Sequence, residues 1–146
     1  MRKKRRVLLV ILSVVACVLM SIFARLENWK RDLTTNYARL DASSPDPSLR
    51  TLVLPSSRDE VADRLERWAS NMPRWSVESR QENGSELQVH LTHRTALFRF
   101  IDDIHVRLTE QEGGTRVDAE SRSRFGKGDL GQNPRNLREL RRGLQE

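Results

Sequence analysis

The hydrophobic pattern divides the chain into two unlike parts. Residues 7–24 form an uncharged apolar run, and five basic residues stand at positions 2–6 in front of it. At about 1.5 Å per residue the run makes a helix of roughly 27 Å, close to the thickness of a bilayer's hydrocarbon core. Basic flanks stay on the cytoplasmic side. The pattern predicts a cytoplasmic tail at 1–6, a transmembrane signal anchor at 7–24, and a single-pass cell-membrane protein whose C-terminal part lies outside the cytoplasm.

Two alternatives for the N-terminal segment stay open. A cleaved signal peptide would use Ala24 at the last position before the cut, but Ile22 then occupies a position that prefers small residues. A lipoprotein signal would modify Cys17, because residues 14–17 loosely resemble a lipobox, yet the apolar run continues beyond it. The uncleaved anchor accounts best for the length of the run.

Residues 25–50 are predicted to be a juxtamembrane stalk, because their polar, turn-rich stretch contains Pro45 and Pro47. A domain at 51–146 follows. It begins with a short strand that Pro55 ends. A helix then starts at a capping box formed by Ser57 and Glu60. The apolar face of this helix contains Val61, Ala62, Leu65, Trp68, Ala69 and Met72.

Alternating apolar positions predict two hairpins after this helix. In the first, parity requires a three-residue loop at residues 82–84 with Gly84 left-handed, which sets Val77 opposite Val89 and Arg80 opposite Glu86. In the second, Phe98, Phe100, Ile104, Val106 and Leu108 occupy one face. A Gly113-Gly114 turn sets Leu108 against Ala119, Arg107 against Glu120 and Asp103 against Arg124. Asp102 falls on the apolar face, so either a bulge bends the strand or Asp102 is buried and paired.

The last element is a helix with Asn133 as N-cap, Pro134 at its first position and a stripe of Leu137, Leu140 and Leu144. The order is strand, helix, four strands, helix. The fold class predicted is therefore α+β, an antiparallel sheet with helices packed on one face, preceded by one N-terminal transmembrane helix.

Charge and cysteine content limit the classes of partner and the chemistry that the domain can have. Setting aside the basic residues at 2–6 leaves 21 Lys and Arg against 20 Asp and Glu, so the outer part is almost neutral. Aromatic residues are few, and we expect no nucleic-acid partner. The one cysteine, Cys17, lies in the predicted anchor, which leaves the domain without a disulfide or a thiol nucleophile.

Motif searches yield little established chemistry. Residues 126–131 match Gly-x-Gly-x-x-Gly, but the βαβ unit of a dinucleotide site is missing, so a capping glycine loop is the better interpretation. His90 and His93 point to opposite faces of one strand, and we expect no metal site. We expect no cofactor and assign no catalytic residues.

Two stretches nevertheless resemble a known family. Residues 98–104, Phe-Arg-Phe-Ile-Asp-Asp-Ile, and residues 121–133, Ser-Arg-Ser-Arg-Phe-Gly-Lys-Gly-Asp-Leu-Gly-Gln-Asn, resemble the signatures of domain of unknown function 1499. The resemblance covers roughly residues 52–146, and the Cys-Val-Ser segment that many members carry is missing. It implies a fold and no chemistry, because the family has no established activity.

The polar positions that match the family signatures are the candidate binding residues: Asp102, Asp103, Arg122, Arg124, Asp129 and Asn133. They form either a structural polar cluster or a ligand site. If Asp102 is buried, the expected partners are Arg122, Arg124, Asn133 and backbone N–H groups of residues 126–131.

The leading hypothesis is a membrane-anchored, extracytoplasmic, non-catalytic module. It contacts the bilayer through residues 7–24 and binds an unknown protein or small molecule. The alternatives are a hydrolase-like enzyme that uses Asp102 or Asp103 with His105, and a purely structural envelope protein.

Overall fold

The computed structural model describes residues 2–24 and 26–146, the side chains of Arg2 and Ile22 excepted. The helices are α1 (Arg2–Phe23), α2 (Trp29–Thr34), α3 (Arg58–Asn71) and α4 (Gln132–Gln145), with a 3₁₀ turn at Pro47–Leu49. The strands are β1 (Tyr37–Arg39), β2 (Leu52–Leu54), β3 (Trp75–Asn83), β4 (Glu86–Arg94), β5 (Ile101–Gln111) and β6 (Gly114–Ser123). The parts of the predicted tail, anchor and stalk that involve Met1, Arg25 and the side chains of Arg2 and Ile22 lie outside the described residues.

The strands form one antiparallel sheet in the order β1-β6-β5-β4-β3, and β2 also pairs with β6. Helix α3 packs against β3 to β6, and α4 packs against β6, β1 and α3. The predicted α+β class with an antiparallel sheet and packed helices is confirmed.

The core lies between the sheet and these two helices. Odd-numbered residues of β4 and even-numbered residues of β5 face it, as the alternation predicts, for example Leu91 paired with Ile104 and Val89 with Val106. Leu137, Leu140 and Leu144 of α4 are fully buried. The capping box at Ser57 and Glu60 is present, with both reciprocal hydrogen bonds.

Both predicted hairpin registers are wrong. In the first hairpin the predicted face is right for Val77 but wrong for Arg80, which forms ion pairs with Asp59 and Asp63 of α3 on the helix-covered side of the sheet. The first hairpin turns at two residues, Gly84 and Ser85, and parity is restored instead by a bulge between Val77 and Ser79. Val77 therefore pairs with Leu91, and Arg80 pairs with Val89. A bulge adds one residue to one strand, and this residue restores the parity that we predicted a three-residue loop to restore.

The second hairpin is displaced by two residues from the predicted pairing. It turns at Glu112-Gly113, so that Leu108 pairs with Val117, Arg107 with Asp118 and Asp103 with Arg122. A shift of two keeps every side chain on its face, which is why alternation alone did not exclude it. Gly114 is required for a different reason, because a Cβ at this position would overlap the Leu54 carbonyl oxygen of β2.

The predicted start of the last helix and the predicted stalk also need correction. The N-cap of α4 is Gly131, with φ at 74°, and Asn133 lies inside the first turn. Residues 26–50 are not an extended spacer, because β1 pairs with β6 and both Leu40 and Leu49 belong to the core. A strand of only three residues leaves no alternation to detect.

The phenylalanines before β5 were placed on the wrong face. Phe98 and Phe100 lie in the loop between β4 and β5, with 54% and 40% of their surfaces exposed, rather than in the core. The loop residue between them, Arg99, adopts a positive φ of 56°, which breaks the strand alternation on which the prediction depended.

Within the part of the chain that the structure describes, no helix is both long and apolar enough to cross a membrane. The transmembrane helix stays a prediction.

Candidate functional site

The buried side of the sheet holds a closed ring of polar side chains beneath α4. Asp102 of β5 accepts hydrogen bonds from Ser123 Oγ at 2.6 Å and Asn136 Nδ2 at 2.9 Å. Asn133 donates to Ser123 and accepts from Ser121, which in turn accepts from Asn136. Four of these five residues have no exposed surface, and Ser123 is 7% exposed. The ring fills its space and fastens α4 to the sheet.

The expected hydrogen-bond partners of Asp102 were wrong, because its donors are Ser123 and Asn136 and not Arg122, Arg124, Asn133 or the backbone of residues 126–131. It is buried, as one of the two alternatives required, but its hydrogen-bond donors are neutral side chains and neither arginine reaches it. His93 Nδ1 lies 3.7 Å from its carboxylate and has no hydrogen-bond partner among the described residues. Asn136 and Ser123 were not predicted as partners of Asp102. Two signals pointed to them, because a buried carboxylate needs hydrogen-bond donors and both residues lie one helical or strand repeat from core positions.

Asp129 organises the loop that leads into α4. Its carboxylate accepts from the backbone N–H groups of Gly131 and Asn133, at 2.8 and 2.9 Å. Burial raises the pKa of Asp129 above its usual range, and the nearby charge of Asp32 adds to this effect. Asp129 thus does the capping that we assigned to Asn133, and it faces no open cavity.

Asp103 lies on the opposite, outer face of the sheet. Arg124 donates to both of its carboxylate oxygens at 2.7 Å, and His90 Nε2 lies 2.8 Å away. The hydrogen bond from Arg124, together with that from His90, lowers the pKa of Asp103 to about 2. The predicted contact with Arg124 is present, although it runs diagonally between strands and not between paired residues.

Arg122 shares that outer face. Its guanidinium carbon lies 5.3 Å from the centre of the Tyr37 ring, a cation–π arrangement. The Tyr37 hydroxyl donates to Glu120 at 3.0 Å. Burial, and then the bond to Glu120, raises the pKa of Tyr37, so this phenol stays protonated.

The six candidate residues therefore divide between the two sides of the sheet. Asp102, Asn133 and Asp129 lie beneath or beside α4, whereas Asp103, Arg122 and Arg124 belong to the outer face. No single site contains all six. Among the described residues, no group of three or more histidine, cysteine, aspartate or glutamate side chains could hold a metal ion.

The outer face of the sheet is concave. Side chains from β3 and from β1, at opposite edges, line the same concavity of about 840 Å³. His90 and His105, whose rings stack at 4.4 Å, line it together with Arg107, which lies two residues further along β5. The charged and phenolic groups around them are Tyr37, Arg39, Asp41, Arg116, Asp118 and Glu120.

Several polar side chains in the concavity already have partners. Arg39 pairs with Asp41 at 3.0 Å, Arg116 pairs with Asp118 at 2.9 Å, and Glu120 accepts from Tyr37. Arg107 has neither an ion pair nor a side-chain hydrogen bond within the described chain, and His105 has only its ring contact. The alternation places His105 and Arg107 on the wet face of β5, but the contributions of Tyr37 and His90 depend on strand order, which the sequence does not reveal.

The geometry defines a class: an α+β domain with an open, polar, concave sheet face and helices covering the other. The chain belongs to the family described as protein of unknown function (DUF1499), whose model matches residues 24–144. The match includes the segment that forms α2 and β1. No curated protein matches the chain, and no solved structure does.

Proposed function

We propose that this protein is a membrane-anchored, non-catalytic binding module whose concave sheet face holds a small ligand with a carboxylate or phosphate group. One observation carries the proposal. Arg107 and His105 line the concavity without polar partners in the described structure, while Arg39 and Arg116 beside them are already paired with Asp41 and Asp118. A guanidinium binds carboxylate and phosphate oxygens through two parallel hydrogen bonds.

The surroundings of Arg107 favour a bound anion over a solvated surface charge. The acidic side chains that line the concavity already have partners, Asp118 in Arg116 and Glu120 in the Tyr37 hydroxyl, and among the described residues neither forms an ion pair with Arg107. The stacked His90 and His105 rings offer a flat apolar surface and ring nitrogens beside it. The paired residues at both edges of the sheet would position the rest of a ligand by hydrogen bonds.

The proposed anchor rests on residues 7–24. The apolar side chains of α1 stay exposed along its length, for example Val10 at 64% and Met20 at 66%, so nothing in the described chain buries them. A bilayer would cover such a surface, and the basic residues at positions 2–6 would keep the N-terminus cytoplasmic. Alkaline phosphatase fused after Glu146 should then be active. An inactive phosphatase fusion together with a fluorescent cytosolic reporter would contradict the orientation.

The hydrolase alternative is disfavoured by how its residues are engaged. Asp102 is buried in the hydrogen-bonded ring, and Asp103 is held by Arg124 with a pKa of about 2. A general base needs a pKa near the working pH, and a carboxylate in this state is a weak base. A purely structural envelope protein would leave the concavity empty, and the experiment below separates it from a binding module.

Native mass spectrometry of the full chain, purified in mild detergent, tests ligand binding. We expect the wild type to carry a small acidic adduct, and Arg107→Gln to lose it. Arg67→Gln is the matched control, because Arg67 is an exposed arginine on α3, on the other side of the sheet. An adduct that persists in Arg107→Gln, or a wild type that is always bare, would contradict the proposal.

A further inference from the structure

One end of the sheet carries an exposed apolar cluster that the proposed ligand site does not use. It consists of Leu97, Phe98, Phe100 and Phe125, here called the phenylalanine patch. Their surfaces are exposed by 63%, 54%, 40% and 69%. The rings touch in sequence, with Phe98 5.4 Å from Phe100 and Phe100 5.3 Å from Phe125. Single exposed apolar residues are ordinary, but a contiguous group marks an interaction surface.

The loop that carries the patch is closed by hydrogen bonds. Thr95 N donates to the Phe100 carbonyl at 2.8 Å, and Phe100 N donates to Thr95 Oγ1 at 2.9 Å. Arg124 N donates to the Ile101 carbonyl, which brings the end of β6 beside the start of β5. Phe125 is therefore held next to the loop, and the rings lie together on the surface and not in the core.

Positive charge surrounds these rings. Arg94, Arg99 and Lys127 are exposed and lie within two residues of a patch member or at the adjoining strand end. Of the two acidic residues at the start of β5, Asp102 is buried and Asp103 is already paired with Arg124. An apolar tip with a cationic border is complementary to a bilayer whose surface is anionic.

The connection to α1 approaches the same end of the sheet. Helix α2 follows α1 after a short segment, and Leu130 N donates to the Asp32 carbonyl of α2 at 2.9 Å. Asn36 Nδ2, just after α2, donates to the carbonyl of Gly126, the residue that follows Phe125. On α2, Trp29 and Leu33 are 55% and 47% exposed, four residues apart and so on one helical face.

We propose that the phenylalanine patch docks on the anionic surface of the bilayer that holds α1, so that the domain lies against the membrane and its concave face is held in a fixed orientation. The proposal rests on the membrane anchor proposed above. The bilayer is favoured over a protein partner because the tether, the aromatic rings and the cationic border all lie at one end of the sheet.

Depth-dependent fluorescence quenching of the full chain in vesicles tests the docking. A fluorophore is attached to Lys127→Cys, beside the patch, or to Ser85→Cys, in the turn at the opposite end of the sheet, each with Cys17→Ser. The vesicles contain phosphatidylcholine alone or with added phosphatidylglycerol, plus a lipid with a quencher near its headgroup. We expect quenching at position 127 and not at 85, and stronger quenching in the anionic vesicles.

Substitutions in the patch should abolish this signal. Phe98→Ser with Phe125→Ser should remove the quenching at position 127, whereas Val53→Ser, which replaces a 49% exposed residue of β2, should retain it. Arg99→Gln should lose only the added quenching in anionic vesicles. Equal quenching at positions 127 and 85, or no effect of the double variant, overturns the docking on the bilayer. The patch is then assigned to a protein partner or to a second copy of the chain. An alkaline wash, scored separately, reports whether the chain stays in the vesicles and so tests the anchor by itself.

Discussion

Replacing Asp102 tests the buried ring of polar side chains most sharply. Asp102→Ala removes the acceptor for Ser123 Oγ–H and for one N–H of Asn136, and both donors stay buried beneath α4. Each orphaned buried donor costs roughly 1–3 kcal/mol. The loss in the free energy of unfolding should therefore be about 2–6 kcal/mol for the two donors together.

The matched control is the next residue on the same strand. Asp103→Ala breaks an ion pair with Arg124, whose side chain is 51% exposed, on the solvent side of the sheet. Pairs of this kind contribute at most about 1 kcal/mol. Asp102→Asn keeps the volume of the side chain but turns an N–H toward a donor. Its loss in the free energy of unfolding should therefore lie between those of the two alanine variants.

Urea unfolding of the full chain in non-ionic detergent, followed by tryptophan fluorescence, measures the difference. Trp68 and Trp75 contact each other at 4.8 Å next to the core and report its loss. The full chain is needed because Leu40 and Leu49 belong to the core. With a urea slope of about 2 kcal/mol/M, Asp102→Ala should lower the midpoint by roughly 1–3 M and Asp103→Ala by under about 0.5 M. Equal, small shifts would refute the assigned hydrogen-bonded ring.

Two further predictions concern acid stability and the close approach of β2 to β6. Asp103 and Asp46 have pKa values of about 2 against an ordinary 3.8, held down by Arg124 and by Ser48 with Arg138 respectively. Because folding favours their ionised forms, their contribution is complete above about pH 5 and is lost as the pH falls through 3.8 toward 2. Asp103→Asn with Asp46→Asn should flatten the melting temperature against pH in that range, and an unchanged slope would contradict this. Gly114→Ala forces a Cβ into the Leu54 carbonyl and should cost more than about 3 kcal/mol in thermal melts, whereas Gly84→Ala, also at positive φ but in open space, should cost about 1 kcal/mol. Similar losses for the two glycines would argue against the close contact.

The sequence predicts most of the sheet because burial imposes a period of two on each long strand. Leu87, Val89 and Leu91 face the core as expected, and so do Ile104 and Val106. The register of the second hairpin was wrong because a shift of two residues preserves the same faces. The register of the first was wrong because a bulge in β3, which alternation does not reveal, turns the residues after it to the other face. Alternation determines which face a residue takes, and turn geometry determines which residue lies opposite.

The candidate site was harder to predict, since it depends on which strands become neighbours. Asp102 was recognised as unusual because a carboxylate interrupts an apolar face, and it is indeed buried. The outer residues Asp103 and Arg124 were brought together correctly. Tyr37 could not be placed, because it belongs to a strand of three residues that pairs with β6 across most of the domain. The concavity exists only once both edges of the sheet are known.

The central claim is that Arg107 and His105 hold the acidic group of a ligand on the concave face. The most direct measurement is ¹⁵N NMR of the full chain in detergent micelles, with the arginine and histidine side chains labelled, during titration with inorganic phosphate. The account predicts that the Arg107 Nε and His105 ring signals shift until they saturate, that these shifts are lost in Arg107→Gln, and that the Arg67 signal does not move. Uniform small shifts of all arginines, with no saturation at Arg107, would contradict it.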